Sequence, residues 1–225
     1  MKNPLKAFLE LLFPPKCPFC KRILARDEVG CCSACQKSLP WTEGTRGEVA
    51  GEFFSRCVAP LHYRGTVRAS ILRYKFSGKS AYAKGYGVLT AQCVADRLSG
   101  EYDLISWVPL SRNSLSKRGY DQARLLAEET ARFLGTSAVP TLEKRRATPA
   151  QSTLSEESAR RANVMGAYVV IDPKGLRGKR ILLVDDVITT GSTLSECART
   201  LRTAGAAEVL GCTLARAGDH QKDKK

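Results

Sequence analysis

The sequence predicts an α/β protein in which helices flank a mostly parallel sheet, with a small N-terminal segment that carries four paired cysteines. Apolar runs typical of buried strands alternate with helical patterns from residue 57 onwards. Two C-x-x-C pairs stand apart from them, between residues 17 and 35. With 225 residues, the chain has room for one large domain and a small appendage.

The N-terminal segment divides into a short helix, a cysteine-rich stretch and a linker. Residues 5–13 predict one or two amphipathic helical turns, and residues 14–40 hold five of the nine cysteines. Residues 41–56 are rich in Gly, Glu and Thr, which is typical of a loop or linker. We therefore expect three parts, which are residues 1–56, a main domain over 57–218 and a charged tail over 219–225.

The main domain is predicted to alternate between strands and helices. The predicted strands are residues 57–63, 104–108, 167–171, 180–184 and 208–215. The predicted helices are residues 66–76, 81–98, 120–134 and 192–204. Residues 144–163 are polar and crowded with arginine, so we expect them to form an arm outside the core. Alternation of this kind favours a parallel sheet with helices on both faces.

Charge and hydropathy restrict the class of protein. The formal net charge is +14, and most of the excess falls in residues 57–225, which favours a polyanionic partner. No stretch approaches the roughly 18 apolar residues that span a bilayer. The apolar run at residues 7–13 ends in Pro14-Pro15 rather than a cleavage site, so we predict a cytoplasmic protein without stable membrane insertion. In that compartment nine cysteines argue against a disulfide framework.

The segment from Ile181 to Thr193 is the strongest indication of a binding site. A buried strand is followed by Asp185 and Asp186, and then by a turn rich in hydroxyls and glycine that opens a helix. Open α/β sheets bind ligands at the carboxyl ends of strands, and a helix N-terminus attracts phosphate. Carboxylates repel phosphate but accept hydrogen bonds from a diol, so the pattern predicts a sugar phosphate.

The same pattern has two alternative interpretations. Paired acids after a buried strand also occur in receiver folds and in other nucleotide-binding folds. A Walker B pair would need a partner loop, and the chain contains no G-x-x-x-x-G-K-[ST] motif. The sugar phosphate remains the favoured ligand.

The cysteine pairs predict a metal site. Cys17-Pro-Phe-Cys20 and Cys32-Ser-Ala-Cys35 each offer two thiolates at knuckle spacing, and four thiolates suit tetrahedral Zn²⁺. Cys31 is the alternative to Cys32 as third ligand, although the x-x spacing favours Cys32. Residue type alone also permits an iron–sulfur cluster or a redox pair. A segment this small has little core, so we expect metal to supply much of its folding energy.

Residues 181–193 resemble the phosphoribosyl pyrophosphate (PRPP) motif of type I phosphoribosyltransferases. The resemblance implies a sheet of that type, with Asp185 and Asp186 on the ribose hydroxyls, also as catalytic residues, and the following loop around the 5-phosphate. The PRPP-binding residues it implies are Asp185, Asp186, Val187, Thr189, Thr190, Gly191, Ser192 and Thr193. It also implies Mg²⁺ bound with PRPP.

In that family a second loop receives the pyrophosphate and a mobile arm covers the site. The counterparts here are Val108–Arg112 and residues 144–163. We also expect Lys117-Arg118-Gly119 to open the helix over 120–134, where an anion would offset the positive charges. The pyrophosphate and arm residues implied are Pro109, Leu110, Ser111, Arg118, Arg146, Gln151 and Arg161.

Further segments resemble the ComF/ComFC family of competence-related proteins, which includes GntX-like members. They are Arg118-Gly-Tyr-Asp-Gln-Ala123, Arg146-Ala-Thr-Pro-Ala-Gln151 and Asn163, together with the cysteine cluster. The resemblance covers residues 5–216. It implies a PRPP-binding protein that supports uptake of single-stranded DNA in natural transformation, with that DNA and a ComFA-type helicase as partners.

The alternative is an active nucleobase-salvage phosphoribosyltransferase without a DNA role. The sequence leaves open the acceptor, the oligomeric state and whether transferase activity is retained. It also shows no interleaving of basic and aromatic residues, and aromatics make up only 7% of the chain. A stacking platform for DNA bases is therefore not evident from the sequence.

Overall fold

The computed structural model describes residues 14–145 and 164–218, which form a mostly parallel sheet with helices on both faces. The strands are β1 Glu48–Val49, β2 Cys57–Val58, β3 Leu61–His62, β4 Leu104–Trp107, β5 Leu142–Lys144, β6 Tyr168–Val170, β7 Arg180–Ile188 and β8 Glu208–Arg216. The helices are α1 Ser33–Ser38, α2 Gly65–Phe76, α3 Tyr82–Arg97, α4 Arg112–Arg118, α5 Gln122–Phe133, α6 Pro173–Leu176 and α7 Ser192–Thr203. None of these helices is long and apolar enough to span a bilayer.

The main sheet has the order β1-β2-β8-β7-β4, and β3 pairs with the far end of β8. Every pairing is parallel except β1 with β2. The predicted strand over 57–63 is therefore present but divided, because Ala59-Pro60 separates β2 from β3 and proline has no N–H to donate. The predicted α/β class with a mostly parallel sheet is confirmed.

Strand β7 extends four residues beyond its predicted end at 184. Its pairing with β8 continues from Arg180 opposite Glu208 to Ile188 opposite Arg216. Asp185 and Asp186 therefore lie within the strand, not in a turn after it. The long partner strand β8 explains the difference, since it provides backbone hydrogen-bonding partners past the apolar run.

The helix between the β4 loop and α5 was missed. Arg112–Arg118 forms α4, which ends at Gly119 with a left-handed φ of 79°. Helix α5 begins only at Gln122, after Asp121 has capped it by accepting from the Arg124 N–H. The prediction that Lys117-Arg118-Gly119 opens the following helix is thus wrong. Both cations lie in the last turn of α4, where the helix dipole favours them.

The core lies on both faces of β7. Leu182 and Val184 pack on the face covered by α2, α3 and α5, while Ile181 and Leu183 pack on the face covered by α7. This alternation follows the two-residue period of a strand. Helices α3 and α5 approach closely at Gly87, where an added Cβ would lie 2.5 Å from the Glu129 side chain.

The cysteine segment, residues 14–47, packs against α2 and α3. Phe19 is buried with its ring 5.8 Å from that of Tyr86. The Arg73 guanidinium of α2 donates to the carbonyls of Pro18 at 3.0 Å and Phe19 at 2.9 Å. The segment thus shares the hydrophobic core of the main domain.

Two predicted loops differ in the structure. Within residues 41–56, Glu48–Val49 forms β1, which adds an antiparallel edge to the sheet. The first residue of the arm predicted over 144–163 belongs to a strand instead. Lys144 is the last residue of β5, which pairs antiparallel with β6 and places Lys144 opposite Tyr168. The helix predicted over 5–13, residues 146–163 of the arm and the tail from residue 219 lie outside the described residues.

Candidate functional site

The loops that follow β4 and β7 open at the same edge of the sheet. These strands are parallel neighbours, with Trp107 opposite Val184. Their carboxyl ends therefore bring together the two loops that were predicted from separate parts of the sequence. A small pocket at this edge is lined by Thr189–Thr193 together with Asp185, Val187 and Thr213.

Asp186 points toward α2 and pairs with a lysine. Lys75 Nζ lies 2.7 Å from Asp186 Oδ1, and both side chains are largely buried. Burial lowers the pKa of Lys75, but the charge of Asp186 more than offsets it and the net pKa is raised. The two side chains therefore form a largely buried ion pair at the edge of the site.

The side chain of Asp185 points to the opposite face of the sheet. Burial, reinforced by the charge of Asp186, raises the pKa of Asp185, and the more distant Lys75 only partly compensates. Its Oδ1 accepts from the Asp186 N–H at 2.8 Å. The two acids are thus inequivalent, because one has a cation against it and the other is held in an environment that disfavours its charge.

The loop Thr189–Thr193 leads from β7 into α7. Gly191 precedes the first helical residue with φ 77°, a conformation that favours glycine. Thr190 Oγ1 and Ser192 Oγ lie 2.8 Å apart, so the hydroxyls form a hydrogen-bonded turn around the helix N-terminus. Hydroxyls and a positive helix end at one point suit a phosphate.

The β4 loop is fixed by a half-buried carboxylate, that of Asp121. The Leu110 N–H donates to Asp121 Oδ2 at 3.0 Å, and Ser111 Oγ caps α4 by accepting from Ser114 N–H. Pro109 to Ser111 therefore lie at the end of β4, beside the β7 loop. Arg118 lies at the far end of α4, close enough for its charge to act on both Lys75 and Lys144.

Three of the predicted site residues, Arg146, Gln151 and Arg161, lie outside the described residues. The sequence interpretation missed Lys75 and Lys144. Lys144 Nζ lies 5.2 Å from the Tyr168 ring centroid, and burial lowers its pKa while the charge of Asp185 opposes that shift. A signal for Lys75 was available, because it lies four residues after the buried Ile71 on the core-facing side of α2.

The four predicted metal ligands come together. The Sγ atoms of Cys17, Cys20, Cys32 and Cys35 all lie within 4.8 Å of one another. Tetrahedral zinc thiolates stand about 3.8 Å apart at the usual Zn–S distance. The Cys35 N–H also points at Cys32 Sγ at 3.5 Å, as in a thiolate knuckle. Small side-chain adjustments suffice for this set to hold a structural zinc ion.

Cys31 lies outside this group. Its Sγ donates to Gln36 Oε1 at 3.2 Å, and burial raises the pKa of the Cys31 thiol to about 12. Cys31 Sγ is directed at Gln36 and is not among the four sulfur atoms that lie within 4.8 Å of one another. The geometry therefore favours Cys32 over Cys31 as the third ligand.

Comparison with known proteins gives matches in both parts of the chain. The family described as Phosphoribosyl transferase domain matches residues 121–225, and the family described as Double zinc ribbon domain matches residues 8–63. Among the described residues of the second match, one group of four cysteines has metal-site geometry.

Curated relatives span nearly the whole chain. Competence protein F of Haemophilus influenzae is 30% identical, covering 90% of this chain and 97% of its own length. DNA utilization protein YhgH of Salmonella typhimurium is 32% identical over 86% of this chain and 80% of its own. Competence protein ComFC of Streptococcus pneumoniae is 29% identical over 68% and 65%. The chain belongs to the ComF family, as a phosphoribosyltransferase-like competence protein with an N-terminal zinc-binding segment.

Proposed function

We propose that this protein binds PRPP at the edge formed by the β4 and β7 loops. The carrying observation is the juxtaposition at the end of β7 of two inequivalent carboxylates with a hydroxyl-lined helix N-terminus. The ribose hydroxyls would donate to Asp185 and Asp186, and the 5-phosphate would accept from Thr189–Thr193. The pyrophosphate would lie against Pro109–Ser111, with Arg118 and the arm residues Arg146, Gln151 and Arg161 nearby.

The unmatched charges at this edge support such a ligand. Burial and the charge of Asp186 raise the pKa of Asp185, and no cation among the described residues lies directly against its carboxylate, so hydroxyl donors would satisfy its oxygens. Lys144 and Arg118 supply positive charge for a pyrophosphate, while Lys75 neutralises Asp186 beside them. Mg²⁺ bound with PRPP would neutralise part of the pyrophosphate charge, and it requires few protein ligands.

Calorimetric titration of the full-length, zinc-loaded protein with PRPP and Mg²⁺ tests this assignment. We expect micromolar binding to the wild type and weaker binding of ribose 5-phosphate, which lacks the pyrophosphate. Asp185→Asn should weaken PRPP binding about tenfold, and Asp185→Asn with Asp186→Asn at least about 100-fold, as charge-assisted hydrogen bonds are lost.

Asp96→Asn is the matched control, because Asp96 is an exposed acid on α3 whose side chain contacts Gln92. Its PRPP affinity should equal that of the wild type. Thermal melts must show each variant folded at the titration temperature, since Asp186 also pairs with Lys75. Undiminished affinity in a folded double variant would reject the ribose assignment.

The match to the Phosphoribosyl transferase domain favours transfer to an acceptor base as a second candidate activity. Such transfer depends on positioning and on neutralising the leaving pyrophosphate. Release of pyrophosphate with a panel of free nucleobases would establish it. Absence of release with every base would favour PRPP as a bound ligand rather than a substrate.

The cellular role we propose is processing of incoming single-stranded DNA in the cytoplasm, alongside a ComFA-type helicase. Relatives named for competence and for DNA utilization support this role, as does the net charge of +14. The proposed architecture is a zinc-binding segment over 1–56, a PRPP-binding domain over 57–218 and a charged tail. Transformation frequency in a deletion strain, complemented with wild type or the double Asp variant, tests whether PRPP binding serves that role.

A further inference from the structure

The aromatic ring of Phe76 lies at the surface, close to the Lys75–Asp186 pair. It is the last residue of α2, and its side chain is 66% exposed, whereas Tyr74 of the same helix is fully buried. The residue before it is Lys75, which pairs with Asp186. The ring is therefore open to solvent next to the proposed PRPP site.

A guanidinium from another helix is stacked on this ring. Arg118 Cζ of α4 lies 5.1 Å from the Phe76 ring centroid. Arg118 Nη1 also donates to Gln122 Oε1 at 2.9 Å, which fixes the guanidinium in place. Two segments that are distant in sequence thus build one surface with an aromatic ring and a cation.

Further cations surround the ring. Lys79 and Lys117 are exposed, and the backbone of Lys79 lies beside the Tyr120 hydroxyl, which donates to the carbonyl of Tyr74. Among the described residues no carboxylate pairs with Lys79, Lys117 or Arg118. We refer to Phe76, Lys79, Lys117 and Arg118 as the Phe76 platform.

Two other arginine–aromatic pairs on the described surface differ in charge. Arg132 stacks 4.1 Å from the Phe133 centroid but pairs with Glu129 at 2.6 Å. Arg124 stacks 5.7 Å from the Trp107 centroid but pairs with Glu128 at 2.8 Å. A carboxylate neutralises each of these guanidiniums, whereas the Phe76 platform keeps its positive charge available to a ligand.

We propose that the Phe76 platform is a contact site for single-stranded DNA. A base stacks on Phe76, and the flanking phosphates lie against Lys79, Lys117 and Arg118. The proposal rests on the proposed role in DNA processing and assigns that role a surface. Exposed aromatic rings within positive surfaces bind single strands without sequence preference, because every base has a π-face.

The platform favours a strand over a free nucleobase. A free base would gain only one stacked face on a ring this exposed, and it carries no phosphates for the three cations. A duplex keeps its bases stacked inside and cannot offer one to Phe76 without unpairing. A single strand provides an accessible base and phosphates on both sides of it.

Fluorescence anisotropy with a labelled oligothymidylate of roughly 15 nucleotides tests the platform on the full-length, zinc-loaded protein. Phe76→Ala should weaken binding about tenfold, and Phe76→Trp should retain binding with its tryptophan fluorescence quenched by the stacked base. Phe133→Ala is the matched control, because it removes the other arginine-stacked phenylalanine. Its affinity should equal that of the wild type.

Two further measurements separate the stacking of a base on Phe76 from the contacts with phosphates. An abasic strand of the same length should bind wild type and Phe76→Ala equally. Lys117→Gln should lower the slope of log affinity against log salt by about one, while Phe76→Ala should leave that slope unchanged.

Several outcomes would overturn the platform. They are unchanged oligothymidylate affinity in Phe76→Ala, an equal loss in Phe133→Ala, or no binding of single strands by the wild type. Unchanged affinity with a lowered melting temperature in Phe76→Ala would mean that the ring packs against this chain's own residues. PRPP titration of Lys117→Gln keeps the two proposals separate, since Lys117 is exposed and is not among the proposed PRPP contacts, so this variant should bind PRPP as the wild type does.

Discussion

The cysteine segment and the proposed PRPP site differ in how completely the protein satisfies its own polar groups. In the cysteine segment, four thiol groups converge on one another, and the segment is buried against α2 and α3. At the β4–β7 edge, no cation in the described part of the chain lies directly against Asp185, and the charge of Arg118 opposes those of Lys75 and Lys144. One metal ion completes the ligand set of the cysteine segment, which suits a structural role. The charges at the β4–β7 edge are not balanced by one another, which suits a ligand that binds reversibly.

The largest effect we expect is from removing one metal ligand. Cys17→Ser replaces a buried thiolate, so the protein should lose its zinc and at least about 3 kcal/mol of stability, or roughly 6–12 °C in melting temperature. Elemental analysis and thermal melts measure both. Cys31→Ser is the control, because Cys31 is equally buried but donates to Gln36, and it should keep a full zinc content. If Cys31→Ser lost its zinc instead, Cys31 would be a zinc ligand and the assigned set of four cysteines would be wrong.

An intermediate effect is expected from breaking the Lys75–Asp186 pair. Asp186→Asn leaves a largely buried ammonium without its carboxylate, which should cost about 2–3 kcal/mol in urea denaturation. Adding Lys75→Met should recover most of that loss, because the unpaired charge is removed as well. If the single variant is as stable as the wild type, water rather than Asp186 satisfies Lys75.

The smallest effect, and one of opposite sign, is expected at Asp185. Burial and the charge of Asp186 raise the pKa of Asp185 in the folded state above the unfolded value of about 4. The folded state therefore keeps the proton to higher pH than the unfolded state does, and this group lowers stability as the pH rises from about 4 through the raised folded-state pKa.

Asp185→Asn removes that pH dependence. The variant should match the wild type near pH 4 and exceed it by about 1 kcal/mol near pH 8, as measured by urea denaturation at each pH. Lower stability of the variant at pH 8 would show that the Asp185 carboxylate has a favourable partner in the folded protein. The contrast with Asp186→Asn tests directly whether the two adjacent acids are inequivalent.

Local signals in the sequence predicted the parts of both regions that depend on short spacing. The C-x-x-C pairs specify a knuckle within four residues, and the apolar run before Asp185 specifies a buried strand. Both features are present because their determinants are neighbours in the chain. The end of β7 was misplaced, however, because pairing with β8 and not local hydropathy carries the strand on to Ile188.

Contacts between distant helices could not be predicted from one sequence. Lys75 reaches Asp186 only because α2 packs over the end of β7, and Arg118 stacks on Phe76 only because α4 lies beside α2. Basic and aromatic residues are not interleaved along the chain at this surface, since its members come from two segments. Position on an apolar helix face was the one available hint for Lys75.

The structure of the zinc-loaded protein in complex with PRPP and Mg²⁺ tests the central claim most directly. We predict density for the 5-phosphate at Thr189–Thr193, for the ribose hydroxyls at Asp185 and Asp186, and for the pyrophosphate at Pro109–Ser111. A 5-phosphate bound away from the N-terminus of α7, or ribose hydroxyls without contact to either carboxylate, would contradict the account.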